Sequence, residues 1–347
     1  MPTWGQILQE LKEAQAQTPG KPVNFDAVRR KYLVQLSAYT KRATILYSSR
    51  FVNPAGASPD SLSINDEDLQ GLMEVVHGVD CKELDLILHS PGGQIDAAEA
   101  FVIYLRQKFD HIRVIVPSLA MSAAAMIACS SDRIVMGKHS FLGPFDPQFF
   151  FNTALNQRMV SAQTIEEQFE LAQKDIKDPS KLGAWIPILS QYGPDILVKC
   201  RNATALAKSL VEGWLKEYML KGDADGNKKA FEIADWLSTH NNFKSHGRHL
   251  SRADLEKKGI LIDYLENDQT LQDLVLSVFH ATNHMFAGTL SVKIIENHLG
   301  HAFVKHLKPP QTPIGLQIPL QLPAQIIQPP KQNPPTPLPP PAAATIG

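Results

Sequence analysis

Short continuous apolar runs alternate in this chain with stretches where apolar residues recur every three or four positions. That is the pattern of fully buried strands alternating with amphipathic helices. Ala43–Tyr47, Leu84–Leu88 and Val114–Val116 predict strands, and Arg133–Met136 predicts a further short one. Asn65–His77 predicts a helix capped by Asn65 or Asp66, with Leu69, Leu72, Met73 and Val76 facing inward and Gly78 ending it. Another helix begins near Ile95 and buries Ala97, Ala98, Phe101, Val102 and Leu105. This alternation predicts an α/β fold, a parallel sheet covered by helices on both faces.

After Gln148 the pattern becomes helical. Ser161–Lys174, Leu197–Leu220 and Lys228–Leu237 predict helices, and Leu271–Phe279 and Val292–Phe303 read as closing or peripheral ones. At the amino terminus Trp4, Ile7, Leu8 and Leu11 share one face of a short helix, expected to pack on the core or on a partner. The turn at 222–227 pairs Asp with Gly but lacks the spaced ligands and closing Glu of a calcium loop. From Lys308 onward lie about half of the chain's 25 prolines, a density that favours polyproline II and predicts a disordered tail.

Composition narrows the class. The 347 residues are 44% hydrophobic with a net charge of −1, which is ordinary for a globular protein and carries no basic stripe for nucleic acid. Cys81, Cys129 and Cys200 are scattered without a CxxC pair and read as core thiols in a reducing cytoplasm. The first 22 residues do not form a signal peptide, and no run approaches the roughly 18 apolar residues needed to span a bilayer. A soluble, cytoplasmic protein is therefore expected.

The chemistry concentrates between Leu84 and Pro147. One strand ends in His89-Ser90-Pro91-Gly92-Gly93. The next runs into Leu119-Ala120-Met121-Ser122, and a helix of small residues (Ala123, Ala124, Ala125, Ala128) follows. A serine at a helix start after a buried strand lies where free N–H groups and the helix dipole stabilise negative charge. A Pro-Gly-Gly turn nearby adds further backbone donors, so the pair suggests a serine nucleophile with an oxyanion hole. Ser122 read blandly is a helix N-cap.

The order of these pieces resembles the Clp protease/crotonase superfamily, and within it the serine dehydrogenase proteinase family, related to signal peptide peptidase A. Three segments carry the resemblance: Ala120-Met121-Ser122-Ala123-Ala124, Leu142-Gly143-Pro144-Phe145-Asp146-Pro147-Gln148, and the stretch from His246 to Gly259-Ile260. It covers roughly residues 30–265. The resemblance implies a Clp/crotonase-like twisted parallel sheet with covering helices and a helical C-terminal half. It divides the chain into an N-terminal helix and linker (1–28), a serine peptidase domain (29–307) and the Pro-rich tail (308–347).

It further implies that Ser122 is the nucleophile, His246 the general base, Asp146 the residue orienting it, and Gly93 and Ala123 the oxyanion donors. The order Ser…Asp…His differs from the Ser…His…Asp of Clp. His249 is the next choice for the base, and His240 is also close in sequence. Signal peptide peptidase A relatives use a lysine, and Lys174 stands at a comparable distance as the alternative base, in a charged and solvated-looking segment. A peptide or protein substrate, no cofactor or metal, and a homo-oligomer are expected. Two other functions share the fold: a crotonase-like acyl-CoA enzyme, which would not require Ser122, and a non-catalytic scaffold. Ser90-Pro91-Gly92-Gly93 lacks the G-x-G-x-x-G arrangement of a nicotinamide site.

Overall fold

The computed structural model of the protein describes residues 2–152 and 157–307, so the expected proline-rich tail at 308–347 lies outside the described residues. Helices α1 (Trp4–Ala16) and α2 (Phe25–Thr40) precede strand β1 (Ala43–Ser49). A single turn α3 (Pro59–Leu62) and α4 (Glu67–Val76) lead into β2 (Glu83–His89). Then come α5 (Ile95–Lys108), β3 (His111–Val116), the short β4 (Leu119–Ala120), α6 (Ala123–Cys129), β5 (Arg133–Met136) and the short β6 (Phe141–Leu142). A hairpin of β7 (Gln148–Asn152) and β8 (Gln157–Ser161) opens a helical stretch of α7 (Ala162–Asp175), α8 (Leu182–Leu189), α9 (Ile196–Glu217), α10 (Gly226–Ser238) and α11 (Arg252–Glu256). Strand β9 (Ile262–Tyr264), helix α12 (Gln269–Gly288) and strands β10 (Ser291–Asn297) and β11 (Ala302–His306) complete the described chain.

Seven strands form the central sheet in the order β11-β10-β1-β2-β3-β5-β9. From β1 to β9 all pairings are parallel, while β10 and β11 are antiparallel. Period-two alternation within the buried strands splits the core into two layers. Ile45, Tyr47, Leu84, Leu86 and Leu88 pack with α4, α5, α6, α9 and α10. Leu46, Ile87, Ile115, Val135 and Ile294 pack against α2 and α12. Helix α1 closes the second face: Ile7 and Leu11 bury against Val28 and Ala281, while the Trp4 ring stacks on His284 at 3.8 Å. Among the described residues no helix is long and apolar enough to cross a membrane.

The mixed α/β reading holds, with one element corrected. Val292–Phe303, expected as a helix, is the β10–β11 hairpin. Lys293 and Glu296 look like solvent-facing positions at helical spacing, yet every residue of β10 is buried. Each charge is matched inside the fold. Glu296 accepts from Arg29 Nε and, at 2.6 Å, from Arg30 Nε, while Lys293 Nζ lies 2.8 Å from Asp68 Oδ1. Partnered charges let a polar-looking segment run through the sheet.

Removing one member of such a pair strands the other. Glu296→Leu leaves the fully buried Arg29 without its main counter-charge and should lose about 3–5 kcal/mol of stability in urea denaturation. Arg29→Met combined with Glu296→Leu should recover most of that loss.

Candidate active site

A second, smaller set of backbone pairings lies across the carboxyl ends of the sheet strands. Ser90 bridges Ala120 in parallel, β4 pairs β6 so that Ala120 faces Leu142, and Leu142 bridges Leu250 antiparallel. The row Ser90–Ala120–Leu142–Leu250 is made by hydrogen bonds of 2.7–3.2 Å, among them Met121 N to Ser90 O, Gly143 N to Ala120 O and Leu250 N to Leu142 O. It gathers four segments distant in sequence. The Gly92-Gly93 turn follows Ser90, Ser122 follows Ala120, and Asp146 follows Leu142. Because the last pairing is antiparallel, the residues preceding Leu250, which include His246, run beside those following Leu142.

Ser122 adopts φ 51°, ψ −124°, and its side chain makes no capping hydrogen bond. Ser122 thus stands at the N-cap position, but its hydroxyl is not spent on capping the helix. A non-glycine residue in such a conformation costs on the order of 1–3 kcal/mol and persists only where its surroundings over-determine it. Here Met121 N–H is tied to Ser90 O, and a side chain on Gly143 would strike Met121 Sδ at 3.0 Å. Helix α6 beyond Ser122 is buried at every position, and its run of alanines lets it pass through the core.

Gly92 rests directly on this turn. At φ +91°, a Cβ there would fall 2.5 Å from Met121 O, 2.6 Å from Ser122 Cβ and 2.7 Å from Ala123 N. Gly93 is gripped by Ile64: Ile64 N–H donates to Gly92 O at 2.7 Å, and Gln94 N–H to Ile64 O at 3.0 Å. Among the described residues, neither the Gly93 nor the Ala123 N–H makes a loop or turn hydrogen bond. Both remain available as donors.

Asp146 is 2% exposed, and three side chains converge on it. His246 Nδ1 lies 2.7 Å from Oδ1, His240 Nδ1 lies 2.7 Å from Oδ2, and Gln148 Nε2 donates to Oδ2 at 2.7 Å. A carboxylate only accepts, so each ring carries hydrogen on Nδ1, the tautomer whose neutral form presents Nε2 as the lone-pair acceptor. His240 is the residue that sequence reasoning passed over, its one signal being its nearness to His246. His249 instead stacks on Phe141 with ring centroids 5.3 Å apart. Lys174 is exposed in the last turn of α7. Among the described residues no hydrogen bond joins Ser122 Oγ to either imidazole.

Neither buried cysteine is poised as a thiolate. Burial pushes the Cys129 thiol up to about 12 and the Cys200 thiol up to about 11. Among the described residues, no group of three or more His, Cys, Asp or Glu converges as a metal site.

The fold and the Ser122 turn define a class: mixed α/β proteins with a mostly parallel sheet and a strained serine at a strand-to-helix turn. Residues 62–178, about a third of the chain, match the sequence model of the family described as ClpP-like SDH-type serine proteinase. The matched segment holds Gly92, Gly93, Ser122 and Asp146, in line with the resemblance that the motifs carry; His246 lies beyond it. Two uncharacterised proteins of Methanocaldococcus jannaschii are similar. One is 42% identical over 145 residues, covering 40% of this chain and 47% of its own length. The other is 45% identical over 67 residues, covering 19% and 23%. The chain thus spans about half or less of the length of these relatives. Two solved structures of a membrane-bound stomatin-specific protease are also similar. A serine-to-alanine mutant is 14% identical with a TM-score of 0.35, covering 66% of this chain and 82% of its own. A lysine-to-alanine mutant in complex with a substrate peptide is 16% identical with a TM-score of 0.36, covering 58% and 71%.

Two outcomes follow from the packing around the turn. Gly92→Ala should distort the Ser122 turn and lower stability by at least about 1–3 kcal/mol, read as a drop in thermal midpoint. The second concerns His89, the residue before Ser90. Burial lowers its pKa to about 4, and its Nδ1 accepts the Leu119 N–H at 3.3 Å. Between about pH 6.5 and 4 the unfolded chain binds a proton at this residue that the folded chain does not. Stability should therefore rise with pH across that window, and His89 alone should contribute a slope of about 1.4 kcal/mol per pH unit. Urea midpoints at pH 5 and pH 7 measure it, and His89→Leu should flatten the slope.

Proposed function

We propose that the protein is a serine peptidase in which Ser122 attacks a peptide carbonyl. The observation that carries this reading is the strained Ser122 turn beneath Gly92, joined by one backbone row to the segments that bear buried Asp146 and its partner His246. In the first step Ser122 Oγ bonds to the carbonyl carbon while its proton passes to Nε2 of His246. The carbonyl becomes an oxyanion held by the free N–H groups of Gly93 and Ala123. His246 then donates that proton to the departing amine, the C–N bond breaks, and an acyl-enzyme ester remains. A water activated by the same ring hydrolyses the ester.

Asp146 would hold the His246 tautomer and stabilise the imidazolium as it forms. Catalytic contacts are commonly longer in the unliganded state and tighten around substrate, which accommodates the missing Ser122–His246 bond. A lysine base needs desolvation to lose its proton near neutral pH, and Lys174 is exposed, so this mechanism gives it no role. His240 is a positioning residue in this scheme: it occupies the second oxygen of Asp146 and leaves His246 the first.

A fluorophosphonate probe followed by peptide mapping should place the adduct on Ser122; folded protein that stays unlabelled between about pH 7 and 9, above the ordinary imidazole range of about 6.5, would overturn the proposal. Ser122→Ala and His246→Ala should each lower hydrolysis of a fluorogenic peptide by about 10⁴-fold or more. His240→Ala should cost far less, about tenfold, through looser positioning. Should His240→Ala abolish activity while His246→Ala spares it, the base assignment is reversed.

A further inference from the structure

A buried network on the far side of the Gly92-Gly93 turn has no part in the chemistry above. Lys293 Nζ, fully buried on β10, is held by both oxygens of Asp68, at 2.8 and 3.0 Å, and donates to the Ser63 carbonyl at 2.6 Å. Asp68 Oδ2 also accepts the Asn65 N–H at 3.1 Å and the Tyr47 hydroxyl at 2.7 Å. The pair therefore grips Ser63 and Asn65, the two neighbours of Ile64. Ile64 in turn zips onto Gly92 and Gln94 with the two backbone bonds already described. The turn is also held from within: Ser90 Oγ accepts the Gly92 N–H at 3.2 Å.

One continuous route thus runs from the ion pair, through Ser63, Ile64 and Asn65, to the turn. Buried ion pairs are seldom better for stability than apolar side chains of similar volume, because desolvation offsets the attraction. What they supply is direction: Asp68 is locked at both oxygens, and its remaining partners are backbone and side-chain donors of the oxyanion region. Resting on the reading of Ser122 as the nucleophile, we propose that Lys293, Asp68 and Tyr47 are positioning residues that hold the Gly92-Gly93 turn, and with it the Gly93 N–H, in register with the Ala123 N–H. The phenol is suited to this role. Burial and the neighbouring Asp68 push its pKa well above the ordinary value, so it stays a donor at every working pH.

The pair sits on β10 and at the start of α4, outside the Ser122, Asp146 and His246 segments. Its loss should therefore slow reaction without weakening substrate capture. The experiment is the kinetics of fluorophosphonate labelling, whose phosphoryl oxygen occupies the oxyanion site. Labelling is followed to saturation in wild type, Tyr47→Phe, Lys293→Met and the paired Lys293→Met/Asp68→Leu. Tyr47→Phe removes one hydroxyl and keeps the ring packed against Phe101. It should lower the maximal labelling rate about tenfold, with the half-saturating probe concentration changed less than twofold and thermal unfolding nearly unchanged. The paired variant, which leaves no unpaired buried charge, should show a similar or larger loss of rate.

A merely structural role would instead reduce the amount of protein labelled, in step with the unfolded fraction, and leave the rate of the folded fraction alone. If Tyr47→Phe and the paired variant both label at the wild-type rate, the positioning role is wrong even though Ser122 is reactive. If wild type itself is never labelled, it is the nucleophile assignment that fails. Lys293→Met alone serves as a check. If it unfolds while the paired variant stays folded and slow, the two effects of the pair are separated.

Discussion

The row of backbone hydrogen bonds from Ser90 through Ala120 and Leu142 to Leu250 carries the geometry of the candidate site. Each residue in that row belongs to a different segment, and each segment bears one element of the proposed chemistry within a few residues of the row. Backbone pairing of this kind sets position to a few tenths of an ångström and does not depend on long side chains finding one rotamer. It also explains how Ser122 can be held at φ 51°. The residues on either side are tied to neighbours, so the strain of the turn is offset by bonds that would be lost if it relaxed.

Charges buried in the sheet follow a related logic. Asp85 lies between Arg42 and Arg113, Glu296 meets Arg29, and Lys293 meets Asp68, with most of these side chains out of solvent. Such pairs cost desolvation and return it as directed contacts between elements far apart in sequence. Lys293–Asp68 joins β10 to the start of α4, and Arg29–Glu296 joins α2 to β10. The last long strand of the sheet is thereby fixed from both faces, and one of those attachments leads to the turn over Ser122.

The proposed acid–base residues show why the candidate site cannot be read from the matched segment alone. Residues 62–178 contain Ser122, the glycine turn and Asp146, whereas the imidazoles lie about a hundred residues downstream. Asp146 is the connection. Buried and accepting three donors, it anchors the loop containing His240 and His246 through its side chain, as Leu142 anchors the end of the same loop through its backbone.

Sequence by itself pointed to the parallel core, because largely apolar strands such as Leu84–Leu88, alternating with amphipathic helices, fit a sheet covered on both faces. It also singled out Ser122, since a strand end, a Pro-Gly-Gly turn and an alanine-rich helix stand together there, while the Asp146 motif was legible only through the family resemblance. What only the tertiary structure decided was everything that depends on partners from elsewhere in the chain. Val292–Phe303 reads as a helix until Asp68 and Arg29 are seen to neutralise Lys293 and Glu296; with those partners present it is two strands. Choosing among His240, His246 and His249 was likewise beyond local pattern, because spacing along a loop does not fix which rings face one carboxylate. Packing sends His249 to Phe141 and both other rings to Asp146. Local propensity acts within a few residues. The long-range pairings that complete the site form only when the ladder brings their segments together.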